Sequence, residues 1–279
     1  VKSQLLVGIL LIWQLLFAQN AWAAIDKNEL LALDMRRALF SDEYVVLNVN
    51  EQQLVMQLRE NTNAIARGVS LLISDSGELL GSDDASNPLI AQLNSLGWVT
   101  MVITVPTTEM FALTNLPTDN ADSLSAKLMT SQLDPERYQA NLTYMAALMQ
   151  GAMEQVRRYP GFVLVITQGM TAATLSQLYA EGTLNAPDAM VVINPYLPDR
   201  QYNKKLANYL AKTPMPVLDL YNQSDSRWSQ SQVVARRTAA IKTLKLEYRQ
   251  REIIGVAWQA QSTHYIGKEI QGWLKHMGW

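Results

Sequence analysis

His264 and His276 are the only imidazoles in the 279-residue chain, and there is no cysteine. His276 sits almost at the end of the sequence and reads as a surface residue. Proton transfer near neutral pH would therefore rest on His264 or on a carboxylate with a shifted pKa. Asp225 closes the polar stretch Asn222-Gln223-Ser224-Asp225, and Asp219 lies inside an apolar run, which makes it the weaker candidate. A carboxylate bonded to an imidazole orients the ring and stabilises its charged form, so Asp225 and His264 are a candidate acid–base pair. As a plain turn former, Asp225 would be equally at home among Asn222 and Ser224. The segment Ile166-Thr167-Gln168-Gly169-Met170 follows a strand-like run, and the carboxamide of Gln168 has no ionisable proton to give up. The hydroxyls of Thr167 and Thr171 flank it as distant substitutes. Without cysteine, disulfides, thiolate metal centres and a thiol nucleophile are excluded. Two histidines so far apart do not suggest zinc, and Asp75, Ser76, Asp83 and Asp84 do not match the calcium-loop spacing. No metal or cofactor is expected.

These residues have to be positioned by an alternating pattern of strands and helices. An amphipathic helix after Ala24 leads to two strand-like runs, Tyr44 to Val49 and Gln53 to Leu58. From Gly68 the rhythm becomes regular. Val69 to Ser74 reads as a short buried strand, Pro88 to Leu96 has helical spacing, and Gly97 ends that helix as a residue free to take positive φ. Trp98 to Val105 is a strand stopped by Pro106, and residues 107–134 form a polar, proline-punctuated excursion. Pro135 to Arg158 is a long helix with Asp134 as its cap. Further strands are expected over Gly161 to Thr167, Asp188 to Asn194, Met215 to Tyr221 and Leu246 to Val256. Helices are expected over Met170 to Glu181, Lys204 to Lys212, Ser231 to Thr243 and from about Gly267 to His276. Short Val/Ile/Leu-rich strands between helices imply an α/β fold, a mostly parallel twisted sheet with helices on both faces. Met145, Met149 and Met153, four residues apart, read as core packing.

In such a sheet chemistry sits at the carboxyl ends of the strands, and those ends carry a family resemblance. The strand over Phe162 to Thr167 and the helix from Met170 resemble the nucleophile elbow of the α/β-hydrolases, whose pattern is Gly-x-Ser-x-Gly. Aligned on the strand end, Gln168 takes the nucleophile position and Gly169 follows it. Ser74, Asp75 and Ser76 stand where that family has its oxyanion-hole loop, and the charge of Asp75 would oppose a developing oxyanion. Asp225 falls where the resemblance implies the triad acid, and His264 where it implies the triad histidine, in the order that fold requires. Over residues 24 to 279 the chain also resembles a secreted bacterial group of α/β-hydrolase-like proteins, the domain of unknown function 3530 family. The shared features are the polar loop Ser74 to Gly77, the Pro88-Leu89-Ile90 helix start, Leu96-Gly97-Trp98 before a strand ending at Pro106, and the degenerate elbow. This resemblance implies the fold and a distant kinship to enzymes, without supplying an activity.

The N-terminus reads as a secretory signal peptide: Lys2, then the uncharged run Leu5 to Phe17, then Ala21-Trp22-Ala23 as cleavage site. The expected organisation is residues 1–23 as signal and 24–279 as a single domain, exported and periplasmic, with no transmembrane span after cleavage. A formal net charge of −2 offers no basic stripe for nucleic acid, and Arg236-Arg237, Lys242 and Lys245 make only a mildly basic helix. Three functions are compatible with these features. The first is a non-catalytic exported protein on this fold that keeps a pocket for a small molecule or a partner surface. The second is a slow ester-type hydrolase in which His264 and Asp225 activate water and Gln168 positions the substrate. The third is an envelope-interaction protein that presents the excursion after Thr107 to another envelope protein.

Overall fold

The computed structural model describes residues 27–50, 52–75, 87–106, 133–254 and 260–279. The signal segment, Ser76, Asp83, Asp84 and all but the end of the expected excursion lie outside the described residues. The chain runs through α1 (Lys27–Ala38), β1 (Tyr44–Val49), β2 (Gln52–Arg59), β3 (Gly68–Ile73), α2 (Asn87–Ser95) and β4 (Trp98–Ile103). It continues with α3 (Pro135–Val156), β5 (Phe162–Gln168), α4 (Gly169–Ala180), β6 (Ala189–Ile193), α5 (Arg200–Lys212) and β7 (Val217–Tyr221). The last elements are α6 (Arg227–Ser231), α7 (Val233–Lys242), β8 (Tyr248–Glu252) and α8 (Ala260–His276).

All eight strands form one sheet in the order β1-β2-β4-β3-β5-β6-β7-β8. β2 runs antiparallel to both of its neighbours, and every pair from β4 across to β8 is parallel. The parallel strands β3 and β4 are buried along their whole length, as both-face coverage demands. On one face Met145 and Met149 of α3, Ala172 and Leu175 of α4 and Leu206 of α5 pack on Val165, Val192 and Val217. On the other, Leu89 and Leu93 of α2 and Ile266, Ile270 and Trp273 of α8 pack on Leu72, Ile166 and Leu218. Met153 is partly buried against the first of these cores.

Local chemistry explains where the helices start. Asp134 accepts hydrogen bonds from the N–H groups of Glu136 and Arg137, with Pro135 in the first turn. Asp199 caps α5 in the same way through Gln201 and Tyr202, which starts that helix at Arg200 rather than at Lys204. Gly97 has φ +95, as the turn from α2 into β4 requires. Three expectations change. The helix expected over Ser231 to Thr243 divides at Gln232 into α6 and α7, because Ser226 caps an earlier turn by accepting from Ser229 N–H. The last strand shrinks to Tyr248–Glu252. The closing helix begins at Ala260 instead of about Gly267, and takes His264 into its body.

Candidate functional site

The carboxyl ends of β3 and β5 meet at one corner. Ser74 N–H donates to the Ile103 carbonyl at 3.0 Å, and Ser74 Oγ accepts from Val105 N–H at 2.9 Å. The exit of β3 is thereby tied to the exit of β4, which aims Asp75 across the end of β5. There its Oδ1 accepts from the backbone N–H of Thr171 at 3.1 Å and from Thr171 Oγ1 at 3.3 Å. Asp75, Gln168 and Thr171 are all buried. The residue before α4, Gln168, gives that helix no side-chain cap. Asp75, almost a hundred residues earlier in the chain, supplies the acceptor instead. A carboxylate at a helix N-terminus satisfies otherwise unpaired N–H groups and meets the positive end of the helix dipole.

The sharp turn from β5 into α4 is made by Gly169. Its φ is +56, whereas Gln168 is extended at φ −133 and ψ 167 and forms the last residue of the strand. The strand-to-helix corner therefore falls one residue later than alignment on the strand end suggests. A Cβ built on Gly169 would lie 1.9 Å from Asp75 Oδ2 and 2.5 Å from its Cγ. The Asp75 carboxylate thus occupies the volume into which any side chain at this corner would project. The carbonyl of Gly169 accepts from Tyr196 N–H at 3.2 Å, so the loop after β6 also closes on the corner.

The neighbouring strand ends carry carboxamides. Asn194, just after β6, adopts φ +48, and its Oδ1 accepts from Asn222 N–H, just after β7, at 2.8 Å. Asn222 Oδ1 in turn accepts from Ser224 N–H at 2.6 Å, closing an Asx turn. Asp225 lies in this turn, half-buried, and accepts from Ser226 N–H at 2.6 Å. Burial raises its carboxyl above the ordinary carboxylate range, and the Ser226 N–H works against that rise. His264 projects from the second turn of α8 and is exposed. Among the described residues no hydrogen bond or ion pair links His264 to Asp225. The connection from β8 to α8, which precedes it, contains no histidine. Thr167 is buried in β5, and its hydroxyl has no partner among the described residues. Among the same residues, no three His, Asp or Glu side chains come together in a metal-holding group.

One polar cluster was invisible in the sequence. Asp219 and Arg236 are fully buried and form a two-pronged ion pair, Nε to Oδ2 at 2.7 Å and Nη2 to Oδ1 at 3.2 Å. Tyr248 Oη and Gln250 Nε2 also donate to Asp219 Oδ2, and Arg236 Nη1 donates to the Ser229 carbonyl at 3.1 Å. Arg236 Nη1 also reaches the Pro195 carbonyl after β6 at 3.5 Å, and the other partners lie within β7, β8, α6 and α7, so the cluster fastens the last helices to the edge of the sheet. Asp219 is committed to this structural role. Arg236, which the sequence reads as part of a mildly basic helix, is buried in it.

Solved structures share the architecture. Est1E from Butyrivibrio proteoclasticus superposes with a TM-score of 0.57 at 9% identity, covering 84% of this chain and 98% of its own. A dienelactone hydrolase from Anabaena variabilis gives 0.54 at 16% identity, covering 84% and 96%. The esterase domain of a Rhodothermus marinus protein gives 0.53 at 11% identity, covering 84% and 97%. At such identities the likeness establishes an α/β-hydrolase-like fold and nothing about activity. No curated protein matches the chain. Residues 16–276 match the family described as "Protein of unknown function (DUF3530)", and the chain belongs to that family.

Proposed function

We propose that this chain is an exported, non-catalytic α/β-hydrolase-like protein, whose sheet serves recognition rather than bond cleavage. The observation that carries the reading is the Asp75 carboxylate seated against Gly169. In the hydrolase arrangement the nucleophile stands on the strained strand-to-helix corner, and the N–H groups that begin the next helix receive the oxyanion. Here the corner residue is a glycine with no side chain. The start of the helix already binds an anion, the carboxylate on Thr171. A substrate oxyanion would have to displace a covalently tethered negative charge from its own binding place. Gln168 contributes a buried carboxamide one residue before the corner, and among the described residues no hydrogen bond or ion pair links Asp225 to His264. Export is proposed on the charged start at Lys2, the apolar run Leu5 to Phe17 and the Ala21-Trp22-Ala23 site.

The test is covalent labelling with a fluorophosphonate ester, which phosphorylates hydroxyl groups activated as nucleophiles. Intact-mass analysis is expected to show no adduct under conditions that saturate a serine esterase. A stoichiometric adduct mapped to Thr167, Thr171 or any serine of the chain would overturn the proposal.

A further inference from the structure

A second feature lies away from the strand ends. From Arg227 to Leu246 the chain has five basic residues and no acidic one, within a protein whose formal net charge is −2. Arg236 is consumed by Asp219, and Lys245 donates its ammonium to the carbonyls of Thr213 and Met215. Arg227, Arg237 and Lys242 are left exposed. Four aliphatic side chains of the same segment are also outward. Val234 is 76% exposed, Ile241 64%, Leu244 79% and Leu246 90%. Val234 and Ile241 are seven residues apart on α7, two turns along one face, with Arg237 between them. Leu244 and Leu246 continue this apolar face over the turn into β8.

The backbone holds Leu244 out at a cost. After α7, Leu244 N–H bonds the Ile241 carbonyl and Lys245 N–H bonds the Ala240 carbonyl, a helix ending that places its hinge residue in the left-handed region. The hinge is Leu244 at φ +54, a position that favours glycine. A strained, solvent-facing leucine between two further exposed aliphatics is not explained by the core. Apolar residues and cations sharing one face of a surface helix are the pattern that lies in a lipid interface. There the aliphatic groups enter the acyl boundary and the cations meet anionic headgroups.

We propose that the outer face of α7 and the turn after it dock on an anionic lipid bilayer surface. The occupant is set by charge complementarity: Arg227, Arg237 and Lys242 are exposed in the same segment as the aliphatic groups, and Asp225 and Glu247 are the nearest acidic residues in sequence on either side. A second copy of this chain would bring the same cations against one another, which disfavours self-pairing through this face.

The absence of cysteine makes one engineered thiol a clean reporter. Thr238→Cys, exposed on α7, is labelled in the full chain with a polarity-sensitive nitrobenzoxadiazole dye. With vesicles of phosphatidylglycerol and phosphatidylcholine, the dye emission is expected to brighten and shift to the blue. Pure phosphatidylcholine vesicles should leave it much less changed. The variant Ile241→Ser, Leu244→Gly, Leu246→Ser should need at least about tenfold more lipid for half-maximal response. Arg237→Gln with Lys242→Gln should weaken the response and flatten its dependence on salt. Leu244→Gly alone should leave the unfolding midpoint unlowered, which separates lipid contact from folding. No emission change on anionic vesicles, or the same change in the triple variant, overturns the proposal. So does a dimer in sedimentation that the triple variant abolishes without any vesicle response.

Discussion

Replacing Gly169 with alanine adds one methyl group, and the structure says what that methyl must do. It meets Asp75 Oδ2 at 1.9 Å, far inside contact distance, and it sits on a backbone with φ +56. The left-handed conformation costs a non-glycine residue about 1–2 kcal/mol. Expelling the carboxylate forfeits its bonds to Thr171 N–H and Oγ1, a capping loss of about 0.5–2 kcal/mol. Gly169→Ala should therefore destabilise by about 1.5–4 kcal/mol. Asp75→Ala loses the same cap, about 0.5–2 kcal/mol. The two changes cannot add, because the carboxylate that the methyl displaces is already gone in the double variant. That variant should be about as stable as Gly169→Ala, a departure from additivity of about 0.5–2 kcal/mol. Urea denaturation of the four proteins measures it. Losses that add within about 0.3 kcal/mol would refute the placement of Asp75 against the corner.

Three other outcomes follow from the same geometry. The raised pKa of Asp225 means that the folded state holds its proton more tightly than the unfolded state does. The stability this contributes is full below the unfolded value of about 4 and is lost as pH rises through the higher folded value. Asp225→Asn keeps the acceptor for Ser226 N–H without the charge, so at pH 7 its melting temperature should be no lower than that of the wild type, the difference fading below about pH 4. Arg236→Met strands the Asp219 carboxylate in the core and should cost about 3–5 kcal/mol by chemical denaturation, much of it recovered by adding Asp219→Leu. Asp199→Ala removes the acceptor at the start of α5 and should cost about 1 kcal/mol, measured the same way.

Periodicity made the layers legible. The runs that became β3, β4, β5 and β6 are nearly continuous apolar segments, broken by Ser70, Thr100 and the Thr167-Gln168 end, and such segments sit in both-face-covered parallel sheets. The corner was harder to place, because a strand that ends in Thr167-Gln168 has no apolar edge to mark its last residue. The usable signal was Gly169, the single glycine at the junction, since a sharp strand-to-helix turn asks for positive φ. The expected start of the closing helix near Gly267 leaves His264 outside it, and Gln261 to His264 is polar. Yet Thr263, Ile266, Ile270, Trp273 and Leu274 are all buried at helical spacing, so the apolar stripe of α8 begins on a threonine. No local pattern announces that Arg236 will cross to Asp219, or that Asp75 will cap a helix almost a hundred residues away. Both are long-range satisfactions of buried charge and unpaired N–H groups, fixed only once the sheet order brings β3 beside β5 and β8 beside β7.

Steady-state turnover of short- and medium-chain nitrophenyl esters, by the wild type beside His264→Ala and Gln168→Ala, most directly tests whether catalysis has been given up. With Asp75 seated at the corner and no Asp225–His264 hydrogen bond among the described residues, the three proteins should match one another and show no saturable rate above buffer. Saturable wild-type turnover that disappears on changing His264 or Gln168, in variants that remain folded, would contradict the account.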